Sequence, residues 1–264
     1  MDLPQQPKPS MSLFFPVYND EATVRRVTEK SIKILSEIAS EYEIVIVNDG
    51  SPDRSGEIAD ELAAEYPCVS VIHHETNLGY GKALQSGFER ACKHEWICFT
   101  DGDDEYDVGE LRHIARILRH YDVVITFRYC KAYSTWRMFV SAIYNVLLRF
   151  IFNSAYRDIS CGMKLVRRDV VDNIKITSAS PFVGAEIVLQ CMLKGFSIGE
   201  VGISTYPRQF GLSTSTSWRN ITATIKDMLR FHKKIFRNSP RPEIDTADVK
   251  AIAAKSAAAK PKAV

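Results

Sequence analysis

Five apolar runs, each closed by a polar turn and followed by a helix-like stretch, restrict this chain more than any other feature. Met11–Val17, Glu43–Val47, Val69–His73, Trp96–Thr100 and Asp122–Phe127 read as strands, and about Glu21–Ser40, Ser55–Tyr66 and Gly79–Lys93 read as helices between them. Strands alternating with helices build a mostly parallel central sheet flanked by helices, an α/β architecture of Rossmann-like type. Every connection is short, which makes residues 11–217 one unit. Open sheets of this kind bind ligands beyond the carboxyl ends of their strands, so function is sought in the loops there.

The loop after the fourth strand is the most charged. Asp101, Asp103, Asp104, Glu105 and Asp107 place five carboxylates in seven residues, directly after Trp96-Ile97-Cys98-Phe99. Crowded like charges raise one another's pKa or hold a cation, and hard divalent ions favour oxygen ligands. An acidic turn that opens a helix uses the same residue types. Asp107, ahead of the helical pattern Val108–Arg119, fits such a cap.

Two further strand-end loops carry polar groups suited to a nucleotide. In Asn48-Asp49-Gly50-Ser51, Asp49 can accept hydrogen bonds from a nucleobase or ribose, although Asp-Gly-Ser also makes an ordinary turn. Asn77-Leu78-Gly79-Tyr80-Gly81-Lys82 precedes a helix start, where glycines permit close backbone approach and Lys82 can face an anion. It lacks the G-x-x-x-x-G-K-[ST] pattern of a Walker loop. His73, His74 and His113 have no metal-ligand company and read as surface or core histidines.

Charge and cysteine usage narrow the partners. At 264 residues and 45% hydrophobic content the chain can bury a sizeable core, and its net charge of +2 argues against a nucleic-acid partner. Recognition of anions must therefore be local. Cys68, Cys92, Cys98, Cys130, Cys161 and Cys191 are scattered without C-x-x-C spacing, as reduced thiols are. Residues 1–10 are polar and proline-rich, which reads as a flexible N-terminus rather than a secretory leader, and a cytoplasmic protein is expected.

The second half changes character. Trp136–Phe152 is apolar on most sides, interrupted by Ser141, Asn145 and Arg149, and fits either a buried helix or one lying against lipid. Residues 218–237 form an amphipathic helix with Arg219, Lys226, Arg230, Lys233, Lys234 and Arg237, which suits solvent or an anionic lipid surface. The Ala-, Lys- and Pro-rich stretch 238–264 reads as a disordered tail. Nothing after Phe236 is apolar enough to span a bilayer, so peripheral contact at a cytosolic membrane face, or contact through a membrane-protein partner, is expected.

Taken in order, the loops resemble those of the family 2 glycosyltransferases with the glycosyltransferase A-type fold, and more narrowly the dolichol-phosphate mannosyltransferase-like branch. Phe15-Pro16-Val17-Tyr18-Asn19 resembles that family's opening loop, and Val45-Ile46-Val47-Asn48-Asp49-Gly50-Ser51 its V-D-D-G-S segment. Asn77-Leu78-Gly79 with Lys82 and Gly87 is similar to its N-x-G helix start, and Asp101-Gly102-Asp103-Asp104-Glu105 to its D-x-D-x-Q metal motif, with Glu105 in place of glutamine. Downstream, Arg128 and then Arg137, Ser141 and Asn145 at four-residue steps resemble the R … R-x-x-x-S-x-x-x-N block, and that spacing sets the last three on one helix face. Asp158-Ile159-Ser160-Cys161-Gly162-Met163-Lys164 resembles the D-x-x-S/T-G-F-R segment. Arg208-Gln209-Phe210-Gly211-Leu212-Ser213 resembles the closing loop, with Thr214 where lysine is usual.

The resemblance implies an inverting, metal-dependent hexosyltransferase that moves mannose or glucose from a nucleotide-diphosphate sugar, GDP-mannose or UDP-glucose, to a polyprenyl phosphate. It implies Pro16, Tyr18, Asn19, Asp49, Gly50, Asn77, Gly79, Lys82 and Asp101 at the donor, and Asp101, Asp103 and Glu105 around Mg²⁺ or Mn²⁺. Arg128, Arg137, Ser141, Asn145, Arg208 and Ser213 are implied at phosphates and acceptor, with Asp101, Asp103, Arg128 and Arg208 carrying the chemistry. A polyprenyl phosphate oxygen is already ionised and needs no strong base. A saccharide hydroxyl acceptor, as in cell-envelope polysaccharide synthesis, needs one, and Asp158 and Glu186 are the candidates. A nucleotide-sugar-binding protein without turnover, and an acidic turn holding Ca²⁺ for stability, are the readings outside this enzyme class.

Overall fold

The computed structural model describes residues 7–129, 135–207 and 217–238, without the side chains of 135–137, 237 and 238. The described residues carry seven strands: β1 (Met11–Val17), β2 (Tyr42–Asn48), β3 (Val69–His73), β4 (Trp96–Phe99), β5 (Val123–Arg128), β6 (Lys164–Arg167) and β7 (Ile198–Ile203). They form one sheet in the order β3-β2-β1-β4-β6-β5-β7. β6 runs antiparallel to both its neighbours, β4 and β5, while every other pairing is parallel. The sheet is thus mixed, yet the carboxyl ends of the six parallel strands still meet at one edge. The loop that enters β6 opens there too.

Among the described residues eight α-helices accompany the strands: α1 (Val24–Ile38), α2 (Ser55–Glu65), α3 (Tyr80–Arg90), α4 (Leu111–Ile114), α5 (Thr135–Phe152), α6 (Arg168–Asn173), α7 (Val183–Leu193) and α8 (Trp218–Asn238). The single helix expected over 108–119 is instead three short pieces, with 3₁₀ turns at Val108–Glu110 and Leu118–His120 on either side of α4. Its buried residues Val108, Leu111, Ile114 and Leu118 keep one face of all three pieces against the core. The chain divides into two compact units, Met1–Met228 and Leu229–Val264. In the second, the described residues are the last turns of α8, where His232 and Phe236 pair their rings at 4.2 Å.

One aromatic cluster shows how the core sets the site. Phe14, Phe88 and Phe99 join β1, α3 and β4, with ring centroids 4.9 to 5.8 Å apart. A Cβ on Gly87 would lie 2.2 Å from the Phe14 ring, so glycine there lets α3 rest directly on the sheet. That seating brings the amino end of α3 to the strand-end edge.

Candidate active site

The sheet reverses its strand order between β1 and β4, and the crevice opening there is lined by the first loop, the glycine-rich loop and the acidic loop. Gly102 presses the acidic loop against the first one, since a Cβ would lie 2.6 Å from the Pro16 carbonyl. Thr23 Oγ1 closes the contact by donating to the Gly102 carbonyl at 2.8 Å. Pro16 and Asp101 are thereby adjacent, whereas Tyr18 and Asn19 stand exposed at the rim, Asn19 with a φ of 58°.

Asp49 has a different task from the one expected of it. It is 4% exposed, and its oxygens accept from Leu78 N and Gly79 N, each at 2.9 Å, and from His74 Nδ1 at 2.7 Å. The carboxylate clamps the glycine-rich loop. Gly50, with a φ of 66°, allows that contact because a Cβ would strike the Thr76 carbonyl carbon at 2.5 Å. Asn77 is exposed, and Lys82 is exposed with its ammonium donating to Gln85 Oε1 at 2.9 Å.

Asp101 sits at the meeting point of both halves of the chain. Its Oδ1 accepts from the Tyr80 hydroxyl at 2.8 Å, and its Oδ2 lies so close to Gly162 that a Cβ there would be 2.4 Å away. Burial raises its pKa above the ordinary carboxylate range and the Glu105 charge adds to this, while Tyr80, Lys164 and Arg128 oppose the rise. Asp103 turns back to accept from Glu105 N at 3.1 Å, and Glu105 is 2% exposed. Asp104, with a φ of 58°, pairs with Arg26 at 2.8 Å. Asp107 caps the following turn, accepting from Gly109 N at 2.7 Å, and pairs with Lys30 at 2.9 Å.

Among the described residues no three His, Cys, Asp or Glu side chains gather into a set that could hold a metal ion. The triad Asp101, Asp103 and Glu105 expected around the cation is therefore not a ready-made cage. The donor chemistry still fits Mg²⁺ or Mn²⁺, since Mg²⁺ characteristically takes one or two carboxylates and completes its shell with substrate phosphates and water.

Across the crevice Arg128, one of the three arginines expected at the phosphates, lies in a buried charge network. Arg128 grips Asp158 through Nε at 2.7 Å and Nη2 at 3.0 Å, and Ser160 Oγ and Asn145 Nδ2 reach the same carboxylate at 3.1 and 3.4 Å. Burial works against the Arg128 charge, but Tyr106 and Asp158 outweigh it and hold the guanidinium above its usual range. Asp158, so engaged, is an ion-pair partner rather than the free base it was weighed as. Behind it lies Lys164, 1% exposed, whose ammonium donates to the Cys161 carbonyl and whose pKa burial pushes down to about 8. Tyr106 completes the wall by accepting from Gly162 N at 3.0 Å.

Ser141 and Asn145 are one turn apart on α5, joined by Asn145 Nδ2 donating to the Ser141 carbonyl at 3.0 Å. Arg137 falls within α5 and its side chain is outside the description; Arg208 and Ser213 lie outside the described residues altogether. Glu186 is fully buried. It accepts from Thr177 N, Thr177 Oγ1 and Ser178 N at 2.6 to 3.1 Å, which latches the segment before α7 and leaves no role as a base. Residue reasoning missed Tyr80 and Tyr106; the one available signal was an aromatic at position 80 between two glycines.

The family model for glycosyl transferase family 2 matches residues 12–175. The chain is 33% identical over 165 residues to an undecaprenyl-phosphate 4-deoxy-4-formamido-L-arabinose transferase of Pseudomonas savastanoi pv. phaseolicola, a match covering 61% of this chain and 48% of that protein. It is 26% identical over 208 residues to glycosyltransferase AglD of Haloferax volcanii, covering 75% and 33%. The chain thus spans half or less of the length of these curated relatives. Among solved structures, glucosyl-3-phosphoglycerate synthase from Mycobacterium tuberculosis, in complex with Mn²⁺, UDP and glucosyl-3-phosphoglycerate, superimposes with a TM-score of 0.66. At 15% identity over 85% of this chain and 80% of that one, this likeness shows the glycosyltransferase A-type fold alone. With the family model spanning the strand-end loops from β1 to β6, the chain belongs to glycosyl transferase family 2.

Proposed function

We propose that this protein transfers a hexose from a nucleotide-diphosphate sugar to a polyprenyl phosphate, with inversion and with Mg²⁺ or Mn²⁺. The observation that carries the reading is the confinement of Asp101 between Tyr80 on the donor side and the loop of Gly162 on the other, at the strand-order reversal. The name of the Pseudomonas relative supports the acceptor class, and the complexes of the mycobacterial structure support the donor class and the ion.

Asp103, with Asp101 beside the donor, is the pair of carboxylates to hold the cation, which when bound would neutralise charge on the departing diphosphate as a Lewis acid. The sugar carbon gains positive character as its bond to the diphosphate oxygen lengthens. An acceptor phosphate oxygen forms the new bond from the opposite face, and the electron pair of the broken bond leaves with the diphosphate. Arg137 and Arg208 are the candidates to bind these phosphates, with Ser141 and Ser213. Arg128 contributes its charge while bound to Asp158 and keeps the second wall in place with Asn145. A hydroxyl acceptor is disfavoured because both candidate bases are committed to internal partners.

Contact with lipid fits the outer face of α5. Phe139, Ile143, Val146 and Phe150 form one exposed stripe, with Phe150 88% exposed, and the opposite face carries Asn145 to the Asp158 network. No helix among the described residues is long and apolar enough to cross a membrane. A peripheral site at the cytosolic face is the corresponding location. A thermal-shift screen of GDP-mannose and UDP-glucose with Mn²⁺ or Mg²⁺, followed by transfer to polyprenyl phosphate, tests the proposal. Stabilisation by one nucleotide sugar and a lipid-linked product are expected; stabilisation without product in the presence of any polyprenyl phosphate would reduce the protein to a binding module.

A further inference from the structure

The phenol of Tyr80 is half-buried beside Asp101 and takes no part in the transfer steps above. We infer that Tyr80 is a positioning residue: its hydroxyl fixes the Asp101 carboxylate in the orientation from which that carboxylate meets the nucleotide sugar. The inference rests on the reading that Asp101 faces the donor.

Three observations carry it. The rotation of a carboxylate about its last bond is soft, so an aspartate at a loop start needs outside restraint to hold one orientation. Asp101 has that restraint at Oδ1, to which the Tyr80 hydroxyl donates at 2.8 Å, while glycine at 162 leaves the room that Oδ2 occupies. Tyr80 is itself held from two sides. Asp49 grips the amides of Leu78 and Gly79 immediately before it, and Gly81 N immediately after it donates to the Ala179 carbonyl at 3.1 Å. A Cβ on Gly81 would lie 2.5 Å from the Ala179 carbonyl carbon, so helix and segment touch at backbone distance. The Ala179 segment is pinned in turn by Glu186 through Ser178 N at 2.7 Å and by Asp227 through Ser180 N at 3.1 Å.

A tyrosine that only anchors α3 would matter to stability and not to the donor. Calorimetric titration of Y80F with UDP-glucose and GDP-mannose, in EDTA and again with Mn²⁺, separates the two roles. A loss of roughly tenfold to a hundredfold in affinity for the donor that binds the native protein is expected, as for one hydrogen bond to a charged group, with little change in Tm. In a D101N background the same substitution should cost nothing further. A Tm loss without a change in affinity, or an equal affinity loss with and without Asp101, overturns the inference. Native protein that binds neither nucleotide sugar overturns the donor reading and this inference with it. Native binding matched by Y80F overturns this inference alone.

Discussion

The two walls of the crevice are built by opposite means. On the side of β1, β2 and β3, acidic side chains are held by backbone amides a few residues from a strand end, as Asp49 is by Leu78 and Gly79. On the side of β5 and β6, charged side chains hold one another across long sequence separations, Arg128 with Asp158 and Lys164 behind them. A wall made from amides carries its own partial positive charge and needs no buried cation. A wall made from ion pairs is costly to desolvate and fails badly when one partner is lost. The first wall therefore suits fixed recognition, and the second links stability to the site.

Removing half of the buried pair is the strongest way to break this contrast. Arg128→Met should lower stability by about 3–5 kcal/mol in urea unfolding, and adding Asp158→Leu should return much of it. A neutral single substitution would mean that the second wall does not depend on its charges. Asp103→Ala should leave the fold intact and slow sugar transfer by about a hundredfold to a thousandfold in single-turnover assays. A smaller comparison concerns pH. With the Lys164 pKa at about 8 in the folded chain against an ordinary 10.5, the unfolded chain binds the extra proton between these values. Stability should rise by roughly 3–4 kcal/mol as pH climbs through that window, be flat from this group below it, and lose the rise in Lys164→Met. The mildest effect is expected outside both walls: Phe150→Asp should weaken retention on anionic vesicles about tenfold with no change in Tm.

What could be read from the sequence follows the same division. β1 to β5 lie within one or two residues of the apolar runs that announced them, because each run is bounded by turn residues and all but the edge strand β3 are mostly buried. The order of motifs located the crevice, since short connections return every loop to one edge. β6 and β7 gave no comparable signal. β6 is four residues long with Lys164 and Arg167 at its ends, and it is a strand only because β4 and β5 leave a gap between them. The inward turn of Asp49 and the pairing of Arg128 were equally hidden. A carboxylate's partner depends on which amides the fold brings near, and motif spacing fixes the position of a residue without fixing the direction of its side chain.

The reversed strand β6 has a consequence for how the molecule is made. Its partners β4 and β5 are both upstream, with all of α5 synthesised in between. The sheet cannot close until a distant segment returns to fill its middle, and pairings of such high contact order form late. β1 to β4 can associate first through neighbouring parallel units, leaving Asp101 at a raw sheet margin. Gly162 and the Arg128–Asp158 pair reach it only when β6 slots in. Competence for chemistry would then appear in the last folding step, and a chain stalled before it would expose an unpaired β4 edge to other chains.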